Sequence, residues 1–294
     1  MLLLAGSHPK ISRAFFLLMV SSEFLTEVFG SSHAFAGIKS WIVMEVVAPA
    51  SFLYSFFSSP TRPTFFSSQS LLASLYLLHY LNRALLSPLR TPSRSKSHIS
   101  VPISGISFNL INGFLLGTYL ASPAAQTYLA HAALRPTFLL GIVIWALGAA
   151  GNIWHDEILL NIRRNARSKG KARDGANTEH YAIPHGGLYA LVSYPNYFCE
   201  WVEWAGFALA ASPSPDLSSL SLSFSPISVF EVLRGVVIEA PAASFIPSLT
   251  PPYIFLFNEV LLMLPRAVRG HQWYRTRFGP AYPPERRAVI PFLV

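Results

Sequence analysis

Several ionisable and amide side chains interrupt runs of sequence that are otherwise apolar. Glu45 interrupts WIVMEVVAP, and His79, Tyr80 and Arg83 interrupt LLHYLNRALL. Asn109 and Asn112, then Asn152, Asp156 and Glu157, then Glu200 and Glu203 do the same further along the chain. In a segment that crosses lipid each such group is costly, so each is a functional candidate by default. Spacing sharpens the choice. At 100° per residue, Asn152, Asp156 and Arg163 fall at about 0°, 40° and 20° on one helix stripe. Asn196 and Glu200 share a face at i, i+4, and Tyr80 and Arg83 nearly do at i, i+3.

One such stripe could serve structure alone, because Asn commonly joins helices and Asp156 could pair with Arg163. Polar residues near one level of four spans imply a polar cavity. Guanidinium groups suit phosphates, and amides and carboxylates suit ribose hydroxyls or a nicotinamide carboxamide. A phosphorylated nucleotide fits that set. No GxGxxG follows a strand, and no GxxxxGK[ST] loop is present. His155-Asp156-Glu157 is not HExxH, and the histidines show no ligand spacing, so no metal is expected. No serine sits in a GxSxG elbow.

The elements that must hold these groups follow from composition. The chain has 294 residues, of which 12% are charged, 52% hydrophobic and 14% aromatic. Soluble domains carry about 25% charged residues. Mean hydropathy is +0.40. An all-α polytopic membrane protein is expected, as a single integral membrane domain over 1–294. A span needs roughly 20 mainly apolar residues. Candidate spans are 12–30, 41–57, 68–87, 104–121, 136–160, 188–211 and 254–268. Residues 212–227, rich in Ser and Pro, read as a loop, and 228–240 as a short interfacial helix. No internal repeat is present.

Alternate loops test this scheme. One side receives sixteen Lys and Arg, including Arg163 to Arg173 and the tail Arg266 to Arg287; the other receives five. Basic residues mark the cytosolic side, so the N-terminus is expected in the lumen and the C-terminus in the cytosol. The net charge of +8 is then explained by cytosolic anchors, and no nucleic-acid partner is expected. The apolar start Met1 to Ala5 precedes Lys10 and Arg13, the reverse of a signal peptide. The lone Cys199 excludes an internal disulfide. Nothing in the pattern specifies an oligomeric state.

The motifs also resemble a known family. The tail GHQWYRTRFGPAYPPERRAVIPFLV is similar to the C-terminal signature of steroid 5α-reductases, in which H-x-W-Y, Tyr-Pro, a basic pair and I-P-F recur in order. GNIWHDEILLNIRR and YAIPHGGLYALVSYPNYFCEWVEWAGFALA resemble its N-I-x-x-D, I-P-x-G-G-L and N-[YF]-x-x-E segments. MEVVAP, HYLNR and FNLINGFLLG resemble the Glu, His-Tyr-x-x-Arg and N-G blocks of the steroid-reducing branch. The resemblance covers about 41–294. It implies seven spans in the endoplasmic reticulum membrane, NADPH as hydride donor, and reduction of a double bond conjugated to a ketone. By motif, 41–130 would bind a small apolar steroid or lipid and 136–294 would bind NADPH. Tyr80 and Glu45 would hold the ketone oxygen. Asn152, Asp156, Arg163, Asn196, Glu200, His271 and Tyr274 would line the NADPH site, with Arg83 near the phosphates.

The implied chemistry is coherent. Hydride addition to an enone places negative charge on the ketone oxygen, and a protonated phenol can donate to it. A carboxyl beside the phenol could orient it or add a second donor. This sequence departs from the family pattern at Ala182, where a basic residue is usual, and at Leu116, where Gln is usual; it also lacks a Tyr-Gly-Lys after the first span. Competing expectations are a trans-2-enoyl-CoA or polyprenol reductase of the same fold, an S-adenosylmethionine-dependent isoprenylcysteine methyltransferase, and a scaffold without chemistry.

Overall fold

A computed structural model describes residues 34–35, 37–61, 63–92, 97–168, 181–215 and 250–294. The expected span at 12–30 and the interfacial helix at 228–240 lie outside the described residues. So does most of the Ser/Pro loop.

The described chain is helical, apart from a two-residue antiparallel pairing of β1 (Ala34–Phe35) with β2 (Ser97–His98). The helices are α1 (Gly37–Phe57), α2 (Ser68–Tyr80), α3 (Ser87–Arg90), α4 (Ser100–Leu120), α5 (Pro123–Leu129), α6 (Pro136–Ser168), α7 (Pro195–Ala211) and α8 (Pro251–Phe278). Proline opens α5, α6, α7 and α8, where its missing N–H has no helical partner to lose. Ser67 and Ser122 cap α2 and α5, accepting from the Ser70 and Ala125 amides at 3.2 Å.

Among the described residues, three helical segments are long and apolar enough to cross a bilayer: Gly37–Phe57, Ser100–Leu120 and Pro136–Ala166. Their outer faces carry exposed Val43, Tyr54, Leu110, Leu139, Val143 and Leu147, as a lipid-facing surface requires. Six of the seven expected spans coincide with helices. The one near 188–211 begins later, at Pro195, because Gly187–Ala190 forms a separate 3-10 turn. Gly186 and Gly187 at that turn have φ of 101° and 53°. A side chain is strained there, and a Cβ on Gly187 would meet His155 Nε2 at 2.6 Å.

Apolar side chains cannot drive helices together in lipid, so close packing must. Gly141 and Gly148 of α6 face Gly206 and the Glu203 backbone of α7. A Cβ on Gly141 would lie 2.7 Å from the Gly206 carbonyl oxygen. Gly113 and Gly117 of α4 press likewise on Ala48, Ser51, Phe52 and Ser55 of α1. Gly148→Val is expected to lower stability by at least about 1–3 kcal/mol, the usual cost of overpacking. Thermal melting in detergent checks it; an unchanged melting temperature would show that α6 and α7 can separate at no cost.

These pairs converge on a core of Phe52, Tyr76, Leu116, Trp204 and Phe207. Trp204 meets Phe255 edge-on at 4.5 Å and His79 at 4.6 Å, which ties α7 to α8 and α2. After Tyr80 the α2 rod continues as a π-helical turn, Leu81–Leu86, before α3. A π turn shifts the facing of every residue in it and often marks a functional site. Arg83 lies in this one.

Candidate functional site

Residues from α1, α2, the π turn, α4, α7 and α8 enclose a cavity of about 290 Å³. That lies at the small end of ligand cavities, which span roughly 300–1,000 Å³. Trp41, Met44, Phe108, Phe255, Leu262 and Met263 form apolar wall. Glu45, His79, Tyr80, Arg83, Glu200 and Glu259 are among its polar groups.

Arg83 organises that polar set. Its Nη1 lies 2.8 Å from Glu200 Oε1 and 2.9 Å from Oε2. Its Nε lies 3.4 Å from Glu45 Oε1, and its guanidinium carbon 5.4 Å from the Trp41 ring centroid. His79 Nδ1 lies 2.8 Å from Glu203 Oε1, and Nε2 lies 3.8 Å from Glu200 Oε1. Glu45 and Glu200 are 4% and 2% exposed. Buried carboxylates of that kind persist only when paired, and Arg83 is the pairing group. Tyr80 is buried, with its ring 4.8 Å from that of Tyr76. Thus Glu45, Tyr80, Arg83 and Glu200 come together, and Glu45 forms an ion pair with Arg83. Asn109 instead ties α4 to α1, donating to the Met44 carbonyl at 2.7 Å.

A second group lies along α6 and the start of α7. Asn196 Nδ2 donates to Asp156 Oδ1 at 2.9 Å, while the buried Asn196 Oδ1 has no hydrogen-bond partner among the described residues. Asn152 is buried one turn before Asp156. Glu157 does not join them: it bridges Arg90 and Arg164 outside the cavity, 2.7 Å from Arg164 Nη1. His155 also plays a structural part. Its Nε2 accepts the Leu188 N–H at 3.0 Å and its Nδ1 donates to the Gly151 carbonyl at 2.6 Å, which fixes the loop holding Gly186 and Gly187.

The C-terminal tail forms the third group. Arg287 N donates to Leu191 O and Ser193 N donates to Arg287 O, each at 2.9 Å, so the tail runs beside the segment entering α7. Ser193 Oγ lies 2.6 Å from both His271 Nδ1 and the Tyr282 hydroxyl. Tyr274 stacks on Tyr282 at 5.6 Å. Burial lifts the Tyr274 phenol above its ordinary range, with Tyr282 adding and the Arg163 and Arg286 charges opposing.

Arg286 was not singled out by sequence reasoning, although the basic pair in the tail contains it. It is 4% exposed, and its Nε and Nη1 have no hydrogen-bond partner among the described residues. A buried guanidinium with unmet donors is costly unless an anion completes it. Together with the unmet Asn196 oxygen it suits a phosphorylated nucleotide. Glu259 was also missed. It lies in FNEVLLML within an expected span, where the rule that flagged Glu45 applies equally. No cluster of three or more metal-ligating side chains occurs among the described residues.

His271 lies beyond the apolar part of α8. Burial lowers its pKa from the ordinary value, and the Arg275 and Arg287 charges lower it further. The folded protein therefore resists a proton that the unfolded chain accepts. This contribution to stability is intact above the unfolded value of about 6.5 and is lost as pH falls toward the lowered folded value. His271→Gln is expected to flatten the melting temperature between pH 7 and pH 5. Parallel pH profiles for the two proteins would remove His271 from that window.

A family model described as 3-oxo-5-alpha-steroid 4-dehydrogenase matches residues 95–232 and 243–294. An uncharacterized protein of Schizosaccharomyces pombe is 37% identical, with 88% of this chain and 85% of that protein covered. A steroid 5-alpha-reductase of Gossypium hirsutum is 31% identical, covering 86% of this chain and 81% of the relative. A 3-oxo-5-alpha-steroid 4-dehydrogenase 1 of Rattus norvegicus is 29% identical, covering 87% and 79%.

Proposed function

We propose that this chain, which belongs to the 3-oxo-5-alpha-steroid 4-dehydrogenase family, is a membrane oxidoreductase that reduces the C4–C5 double bond of a 3-oxo-Δ4 steroid with NADPH. The observation that carries this reading is the convergence of Tyr80, Arg83 and Glu45 in one apolar-walled cavity. An enone needs apolar surroundings for its ring system and donors where its oxygen becomes negative. Tyr80 keeps its proton and donates a hydrogen bond from its hydroxyl to the ketone oxygen as charge builds there. Arg83 places a fixed positive charge beside that oxygen. Glu45 and Glu200 hold the guanidinium at 3.4 and 2.8 Å, so it need not reorganise during the reaction.

The second and third groups suit the cofactor. Arg286 and Arg163 would hold phosphates, and Asn152, Asp156 and Asn196 would meet ribose hydroxyls or the carboxamide. His271 and Tyr274 would close the site from the tail. Bound there, NADPH supplies the hydride. Arg286→Gln is expected to raise the NADPH requirement about 10- to 100-fold, the worth of one or two charged hydrogen bonds. An unchanged requirement would leave the unmet nitrogens of Arg286 without a role.

The same reading takes seven spans, a lumenal N-terminus, a cytosolic C-terminus and an endoplasmic reticulum location. The cytosolic mouth then receives the charged cofactor and the bilayer supplies the apolar substrate. The test is product analysis by mass spectrometry. Membranes holding the chain receive NADPH and a panel of 3-oxo-Δ4 steroids, with a trans-2-enoyl-CoA and a polyprenol alongside. A steroid product heavier by two hydrogens supports the proposal. Reduction of another compound alone, or of none, overturns it.

A further inference from the structure

Glu259 is the acid in the cavity that the scheme above leaves unused. It lies on the α8 stripe that forms one wall, with Phe255 one turn before it, Leu262 and Met263 one turn after, and Arg266 and Arg269 toward the mouth. It is 9% exposed. Unlike Glu45, Glu200 and Glu203, it makes no hydrogen bond or ion pair with the described residues. Its side chain nonetheless lines the same cavity as Tyr80, Arg83, Glu45 and Glu200. Arg83 is already shared between two carboxylates. An ionised Glu259 would put a third negative charge before one guanidinium in a low-dielectric cavity. That arrangement is too costly to hold, so the resting carboxyl keeps its proton.

A neutral acid facing the substrate has a use. Reducing an enone takes a hydride at the β-carbon and a proton at the α-carbon. Tyr80 and Arg83 serve the oxygen, and nothing assigned so far serves the α-carbon. We infer that Glu259 is the acid that protonates the α-carbon. The inference rests on the reductase reading. After hydride reaches the β-carbon, the enolate electron pair forms the new α C–H bond. The Glu259 O–H bond breaks, leaving a carboxylate and a saturated ketone. A proton from solvent entering past Arg266 and Arg269 restores the acid before the next cycle. A carboxylate left unpaired in the cavity is itself unfavourable, so reprotonation runs downhill.

The experiment compares the full chain with Glu259→Gln and Glu259→Asp in membranes, on the best enone of the panel. Glu259→Gln is expected to lower kcat about 10²- to 10⁴-fold, the usual worth of a positioned general acid. Equilibrium steroid binding should stay within about threefold, because the amide preserves shape. Proton delivery should then limit the rate: the isotope effect from a deuterated hydride donor shrinks while that from D2O grows. Glu259→Asp should recover part of kcat. Melting in detergent confirms that each variant is folded. If Glu259→Gln fails to fold, the Asp variant carries the test through its enlarged D2O effect. A folded Glu259→Gln at the unaltered kcat overturns the inference. So does a loss of kcat with both isotope effects unchanged, which marks a structural role. If the unaltered chain reduces no enone, the reductase reading fails instead.

Discussion

Tyr80→Phe should reduce steroid turnover about 10²- to 10³-fold, the contribution of one hydrogen-bond donor to a developing oxyanion. The ring stays, so its packing at 4.8 Å on Tyr76 and 5.1 Å on His79 persists. What is lost is the hydroxyl that donates a hydrogen bond to the enolate oxygen. Steroid binding should weaken far less than turnover, because the ketone in the ground state carries little charge and Arg83 remains beside it. The result would be a large fall in kcat with KM and melting temperature nearly unchanged. Measured kcat and steroid KM on membranes decide this. Full turnover in Tyr80→Phe would remove Tyr80 from the mechanism and make Arg83 the sole electrophile. A parallel fall in melting temperature would make the hydroxyl structural.

Much of this site was legible in the sequence because lipid makes polar residues conspicuous. Glu45, Tyr80, Arg83 and Glu200 were singled out for lying in apolar runs, and they meet at one cavity. Helical spacing put Asn152 and Asp156 on one stripe, and Asp156 does face the next polar helix through Asn196. Spacing within one helix could not say which partner a neighbouring helix would bring. Glu45 was joined to Tyr80 through the family resemblance alone; the structure adds Arg83, which the π turn sets 3.4 Å from Glu45 in the same cavity. A π turn has no simple hydrophobic period, so it leaves no trace in a pattern search. Arg286 was hidden for a different reason. Arginines near a span read as interfacial anchors, and only the pairing of the tail with Leu191 and Ser193 buries this one. Glu259 needed no structure, since an acid inside FNEVLLML was visible from the start.

Arg83→Leu should cost about 3–5 kcal/mol of stability, the penalty for leaving buried partners of an ion pair uncompensated. Two carboxylates lose their cation at once, and His79, 3.8 Å from Glu200, is already committed to Glu203 at 2.8 Å. The loss should be largely repaired by adding Glu45→Gln and Glu200→Gln, because replacing a whole buried ionic set by neutral groups costs far less than breaking it. Activity should not return with stability, since the repaired variant has no fixed positive charge beside the ketone oxygen. Melting in detergent and steroid turnover on the single and triple variants separate the two roles. A single variant as stable as the parent would mean the carboxyls accept protons freely and Arg83 is no structural anchor. A triple variant with full turnover would mean the positive charge contributes nothing to the enolate. The expected combination makes Arg83 both the group that permits acids in this cavity and the charge they hold in place for the substrate.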